Sequence, residues 1–122
     1  MLITFLKEDF KFCDERGELI QLVHNGYKQV NFITARKGSF RGGHYHKFNT
    51  EAFFVISGCF KLELFKNANH QKEVYEINSG DFFCIPPLVV HSFNFIEDTQ
   101  LISMYSQGVE MSDGTKDILI TK

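Results

Sequence analysis

Gly38-Ser39-Phe40-Arg41-Gly42-Gly43-His44-Tyr45-His46-Lys47-Phe48-Asn49-Thr50-Glu51-Ala52-Phe53-Phe54-Val55-Ile56-Ser57-Gly58 is the stretch that decides the fold. On a β-strand successive side chains point to opposite faces, so His44 and His46 share one face and Tyr45 takes the other. Their backbones stand about 7 Å apart at the strand rise. Two imidazoles so placed can converge on one ion. Phe48-Asn49-Thr50 permits a bend, and Glu51 opens the next strand, which sets a hard oxygen donor beside the two nitrogens.

Outward from this stretch the chain reads as short strands separated by turn chemistry. Candidate strands cover Leu2–Leu6, Glu18–His24, Lys28–Ala35, Phe40–His46, Glu51–Ser57, Phe60–Phe65, Glu73–Ile77, Phe82–Ile85, His91–Phe95, Gln100–Tyr105 and Asp117–Thr121. They are rich in Phe, Val, Ile and Tyr. Between them lie Asp14-Glu15-Arg16-Gly17, Asn25-Gly26, Lys37-Gly38, Asn67-Ala68-Asn69, Asn78-Ser79-Gly80 and Pro86-Pro87, each a turn or breaker signal. No segment keeps a 3.6-residue apolar period over three turns. Strands about ten residues apart predict an antiparallel sandwich or barrel, closed so that sheet edges are protected.

A further imidazole, His91, follows Gly80-Asp81-Phe82-Phe83-Cys84-Ile85-Pro86-Pro87-Leu88-Val89-Val90. The glycine turn, short strand and Pro-Pro break would return the chain to the barrel interior with His91 inside. His24 and His70 sit at turn-rich positions and are left out of the site. Three imidazoles and a carboxylate suit one divalent ion, Fe, Mn, Ni, Co or Zn, and sequence does not choose among them. Such a set leaves a coordination position open for water or substrate.

These two stretches resemble the two motifs of the cupin superfamily. The first meets G-x5-H-x-H-x3–4-E-x6-G at every position. The second resembles G-x5-P-x-G-x2-H-x3-N with two departures, Leu88 in place of Gly and Phe95 in place of Asn. The resemblance implies an all-β double-stranded β-helix (a jelly-roll barrel) as a single domain over residues 1–122, with His44, His46, Glu51 and His91 as metal ligands. Asp14-Glu15-Arg16-Gly17, Gln29-Val30-Asn31 and the Arg41–Lys47 run are similar to cupins that act on nucleotide-linked keto sugars. Those relatives are sugar 3,4-ketoisomerases, deoxysugar 3,5-epimerases and the C-terminal cupin of capsular polysaccharide UDP-sugar reductases. The resemblance implies an isomerase or epimerase of a keto nucleotide sugar in surface-polysaccharide biosynthesis. Its catalytic candidates are His46, Tyr105 and Arg41. Tyr105 would serve as an acid, and the planar Arg41 fork suits a diphosphate. Two other classes stay open: a mononuclear Fe(II) dioxygenase and a non-catalytic sugar- or metabolite-binding cupin.

The remaining features are consistent with this reading. The formal net charge of -2 gives no reason to expect nucleic acid or an anionic membrane as partner. Leu2–Leu6 is too short for a signal h-region and no apolar run reaches membrane-spanning length. Cys13, Cys59 and Cys84, odd in number, fit free thiols in a reducing cytoplasm. The 14 phenylalanines predict an aromatic core and an apolar subunit interface. A homodimer is expected, paired through the N-terminal strand Leu2–Leu6. Lys61 and Glu63 share a parity that leaves them either lining the pocket or in solvent.

Overall fold

The computed structural model describes residues 1–120. Twelve strands follow in order: β1 (Thr4–Phe5), β2 (Phe10–Asp14), β3 (Gly17–Gln21), β4 (Gln29–Ala35), β5 (Phe40–Tyr45), β6 (Glu51–Ser57), β7 (Cys59–Lys66), β8 (Gln71–Asn78), β9 (Phe82–Ile85), β10 (Val89–Phe95), β11 (Thr99–Tyr105) and β12 (Leu119–Ile120). They form two five-stranded antiparallel sheets, β1-β9-β6-β11-β4 and β12-β5-β10-β7-β8, with β2-β3 as a separate hairpin. From β4 to β12 the chain changes sheet at nearly every step, which winds it into the expected jelly roll. No helix occurs among the described residues, and none is long and apolar enough to cross a membrane.

Strand alternation puts one face of each sheet inside. In β7, Phe60, Leu62 and Leu64 are buried, while Lys61 and Glu63 pair with each other at 3.2 Å on the outer face. The parity of Lys61 and Glu63 is therefore the solvated one. The core is strongly aromatic at its centre: Phe53 stacks on Phe83 with centroids 5.3 Å apart, and Phe60 on Phe93 at 5.0 Å. Each fully buried Phe is worth roughly 1.5–3 kcal/mol of transfer free energy. Leu2 and Ile3 join this cluster, at 5% and 3% exposure.

Some boundaries differ from expectation. The sequence predicts no strand at Phe10–Asp14, yet β2 pairs with β3 from Phe10↔Gln21 to Asp14↔Gly17. This ladder closes through the Glu15-Arg16 turn, a local pairing that the polar content of residues 7–16 obscures. The strand predicted for Glu18–His24 ends at Gln21, because Leu22 and Val23 turn onto a second apolar cluster around Ala52, Phe82 and Met104. At the other end, Asp117 is bent inward and buried rather than opening a strand, leaving β12 with Leu119 and Ile120. Thr121, the expected last strand residue, lies outside the described residues.

Candidate metal centre

Two pairs of cross-strand neighbours face each other across the barrel. In one sheet His44 of β5 lies opposite His91 of β10. In the other, Glu51 of β6 lies opposite Tyr105 of β11. Directly opposed residues in an antiparallel pair project to the same side, so register alone aims all four inward. His46 follows β5 by one residue and completes the group. Gly42 permits the close approach of β5 to β10. A Cβ there would stand 2.5 Å from the His91 carbonyl oxygen and 2.6 Å from the Ser92 Cα. A bulge between His91 and Ser92 takes up the slack.

The ligand atoms of His44, His46 and His91 all lie within 4.8 Å of one another. Glu51 Oε1 lies 2.9 Å from His46 Nε2 and 3.5 Å from His91 Nε2. Two of the imidazoles have their outer nitrogen occupied by the backbone. His46 Nδ1 donates to the Asp117 carbonyl at 2.6 Å and His91 Nδ1 to the Val89 carbonyl at 3.1 Å. That fixes the tautomers and turns the other nitrogens inward. His91 Nε2 is buried with no hydrogen-bond partner. A buried polar atom left unpaired costs about 1–3 kcal/mol, and a cation held by the neighbouring donors removes that cost. Three inward imidazoles and one carboxylate thus fit a divalent ion.

The electrostatics point the same way. Burial, followed by the neighbouring His91 and His46, pushes His44 down to about 4, so its ring is neutral and able to ligate at neutral pH. Burial would raise the Glu51 carboxyl, but the hydrogen bond with His46 and the nearby His91 ring lower it to about 2. His46 is opposed by burial, yet Glu51 and the Asp117 carbonyl raise it overall. Tyr105 is raised by burial and by the Glu51 charge, which keeps its hydroxyl protonated. Its ring packs edge-on against His46, centroids 5.1 Å apart.

A cavity of about 50 Å³ opens onto these donors, lined by Arg41, His44, Glu51 and His91 on its polar side and by Phe53 and Phe93 among its apolar walls. Arg41 is exposed at its rim. The Asp14–Gly17 turn lies elsewhere, at the tip of the β2–β3 hairpin, where Arg16 is bound to Asp14 at 2.6 Å. The structure adds two residues that spacing does not flag, Asn49 and Asp117. Both are buried, and Asp117 Oδ2 accepts from Asn49 Nδ2 at 2.8 Å across 68 residues of chain. Burial would raise the Asp117 carboxyl; Asn49 and the backbone amides of Lys47, Phe48 and Asn49 lower it instead.

The family model described as "polysaccharide biosynthesis C-terminal domain" matches residues 12–114. The chain belongs to this family. A domain of this kind is similar over 72 residues, at 38% identity, to the UDP-2-acetamido-2,6-beta-L-arabino-hexul-4-ose reductase of Pseudomonas aeruginosa. That alignment takes in 53% of the chain and 19% of the reductase, so the chain spans about a fifth of that relative. Among solved structures, the TDP-quinovose 3,4-ketoisomerase of Campylobacter jejuni superposes with a TM-score of 0.80 at 20% identity, covering 98% of this chain and 92% of that one. The 3,4-ketoisomerase of Thermoanaerobacterium thermosaccharolyticum, solved as a double mutant in complex with TDP, gives 0.71 at 26% identity, with coverage of 86% and 80%. The polysaccharide biosynthesis C-terminal domain therefore has the jelly-roll fold read from its motifs, and its structural neighbours include sugar-nucleotide isomerases.

Proposed function

We propose that this chain is a metal-dependent cupin that isomerises or epimerises a keto nucleotide sugar in surface-polysaccharide biosynthesis. The observation that carries the metal part is the convergence of three imidazoles beside Glu51, two of them anchored to the backbone, with His91 Nε2 buried and unpaired. Family membership and the sugar-nucleotide enzymes among its structural neighbours support the substrate class. In this reading His44, His46, His91 and Glu51 hold the ion. When bound, a divalent ion at an open position supplies Lewis-acid polarisation of a carbonyl.

The other roles fall to residues around the ligands. Tyr105, held protonated beside Glu51, is the proton donor. Arg41, exposed at the cavity rim, presents a planar fork to the diphosphate. The sugar lies across the rim with its reacting edge towards the donors. His46 has Nδ1 on the Asp117 carbonyl and Nε2 on Glu51. That 2.9 Å contact favours one second reading, a metal-free site in which the His46–Glu51 pair itself shuttles the proton. A 4-keto sugar nucleotide incubated in deuterium oxide tests the activity. Deuterium at a ring carbon is expected, its loss in Tyr105→Phe places the acid, and no exchange across a panel of such substrates overturns the proposal.

The homodimer is proposed on a changed footing. Leu2 and Ile3 belong to the chain's own core, which leaves only Phe5, 47% exposed on edge strand β1, as the apolar side chain the Leu2–Leu6 segment offers a partner most openly. Phe10, Phe12 and Leu19 on the hairpin are 53%, 50% and 57% exposed, and Val30 and Phe32 on edge strand β4 are 63% and 62% exposed. An isolated hairpin is marginal in water and an open apolar edge strand is adhesive. Pairing of two copies would cover both.

A further inference from the structure

Three of the four residues between His46 and Glu51 are wound around a single carboxylate from the far end of the chain. Asp117 Oδ1 accepts from the Lys47 amide at 2.7 Å, and Oδ2 accepts from the Phe48 and Asn49 amides, both at 3.0 Å. Oδ2 also takes the Asn49 side-chain amide at 2.8 Å. The backbone carbonyl of the same Asp117 receives His46 Nδ1 at 2.6 Å. Asn49 then fastens the link to the segment after β11. Its Oδ1 accepts from the Gln107 and Gly108 amides at 2.8 and 3.1 Å, and its Nδ2 donates to the Gly108 carbonyl at 2.9 Å.

Asn49 is 0% and Asp117 4% exposed. Hydrogen bonds to an ionised acceptor are roughly twice as strong as neutral ones, and without Asp117 the buried Asn49 donors lose this acceptor. The peg is therefore stiff. It controls two things at once: where the His46 ring points as the chain leaves β5, and where β6 begins with Glu51. Residues 115–117 lie beyond the family match, which ends at 114.

We propose that Asp117, assisted by Asn49, is a positioning residue of the metal centre. Its carbonyl fixes the His46 tautomer so that Nε2 offers a lone pair inward, and its carboxylate sets the spacing between His46 and Glu51. This rests on the metal reading of the four donors. Outer partners of ligating imidazoles are typically worth 10–100-fold in metal affinity.

Cobalt(II) is the probe, because its visible spectrum reports coordination. Asp117→Ala and Asn49→Ala are expected to weaken Co(II) binding about 10–100-fold and to alter the visible band. Asp117→Asn, which keeps an acceptor for part of the amide nest, falls between and covers the case in which Asp117→Ala does not fold. Asp113→Ala, which breaks only the exposed Thr115 contacts, binds as the wild type does. A readout without metal is the nitrogen-15 spectrum of the His46 ring in the metal-free chain, at a pH where the ring is neutral. One Nδ1–H tautomer is expected in the wild type and a mixture in the Asp117 variants. Folded Asp117 variants with wild-type Co(II) affinity and an unchanged His46 tautomer overturn the proposal, whatever their thermal stability. A wild type that takes up no cobalt, with the tautomer still shifting in Asp117→Asn, sinks the metal reading and leaves the positioning of His46 standing.

Discussion

His91 is the residue at which metal-free and metal-loaded stability should part company. Its Nε2 is buried and unpaired, a cost of about 1–3 kcal/mol in the absence of an ion. His91→Leu removes that cost, so the metal-free variant should melt no lower than wild type, while stabilisation by added zinc, present in wild type, disappears. Thermal melts with and without zinc read both effects, and a variant as zinc-responsive as wild type contradicts the assignment. The same cluster sets a pH dependence in the metal-free chain. The folded His44 pKa is near 4 against an ordinary 6.5, so below 6.5 the unfolded chain gains a proton that the folded chain refuses, and stability falls with pH. His46 is raised above 6.5, so its contribution is complete below 6.5 and is lost as pH rises through the raised value. Glu51 acts in a separate window, losing its contribution as pH falls from 4.5 towards about 2. Urea midpoints of the metal-free protein should therefore peak near pH 6.5, declining on the acid side as pH falls towards about 4 and on the alkaline side as pH rises through the raised His46 value. His44→Ala should flatten the acid limb, and an acid limb unchanged in that variant would contradict the account.

At the level of elements, the departures in the second motif turn out to matter less than the turn itself. Leu88 adopts φ 71, the left-handed conformation a glycine would take there, and its amide donates to the His46 carbonyl at 2.8 Å. The turn survives the missing glycine because β10 is held by a full ladder to β7 and a bulged one to β5 from His91 to Asn94, which over-determine one strained residue. Leu88→Gly relieves that strain and should stabilise the protein by about 1 kcal/mol with metal affinity unchanged; a lower urea midpoint would contradict this. Gly42→Ala should do the reverse, since its Cβ meets the β10 backbone at 2.5 Å. It should lower both the melting temperature and metal affinity by displacing His91. Alternation and turn chemistry made the central strands legible, because β5, β6 and β10 carry both motif and pattern. The β2–β3 hairpin was not legible, since its pattern is half polar and its partner strand is local. Asn49 and Asp117 were hidden because the contact spans 68 residues and no period or spacing marks it.

For the whole molecule, the jelly roll was readable because glycine turns at regular spacing leave few ways to close so many short strands. The apolar surface was less so: composition predicts an aromatic core and an apolar interface, but not that Phe10, Phe12 and Phe32 are among the residues left outside. Light scattering should give twice the chain mass at micromolar concentration, with Phe12→Glu or Phe32→Glu shifting it to the monomer; a monomeric wild type contradicts the pairing. The metal decides among isomerase, metal-free acid–base and binding-only readings more than any other property. Elemental analysis of protein purified without added metal or chelator tests it most directly. About one divalent transition-metal ion per chain is expected, falling to background in Glu51→Gln and His91→Leu. A wild-type chain carrying background metal, and taking up none when offered zinc or cobalt, would contradict the central claim.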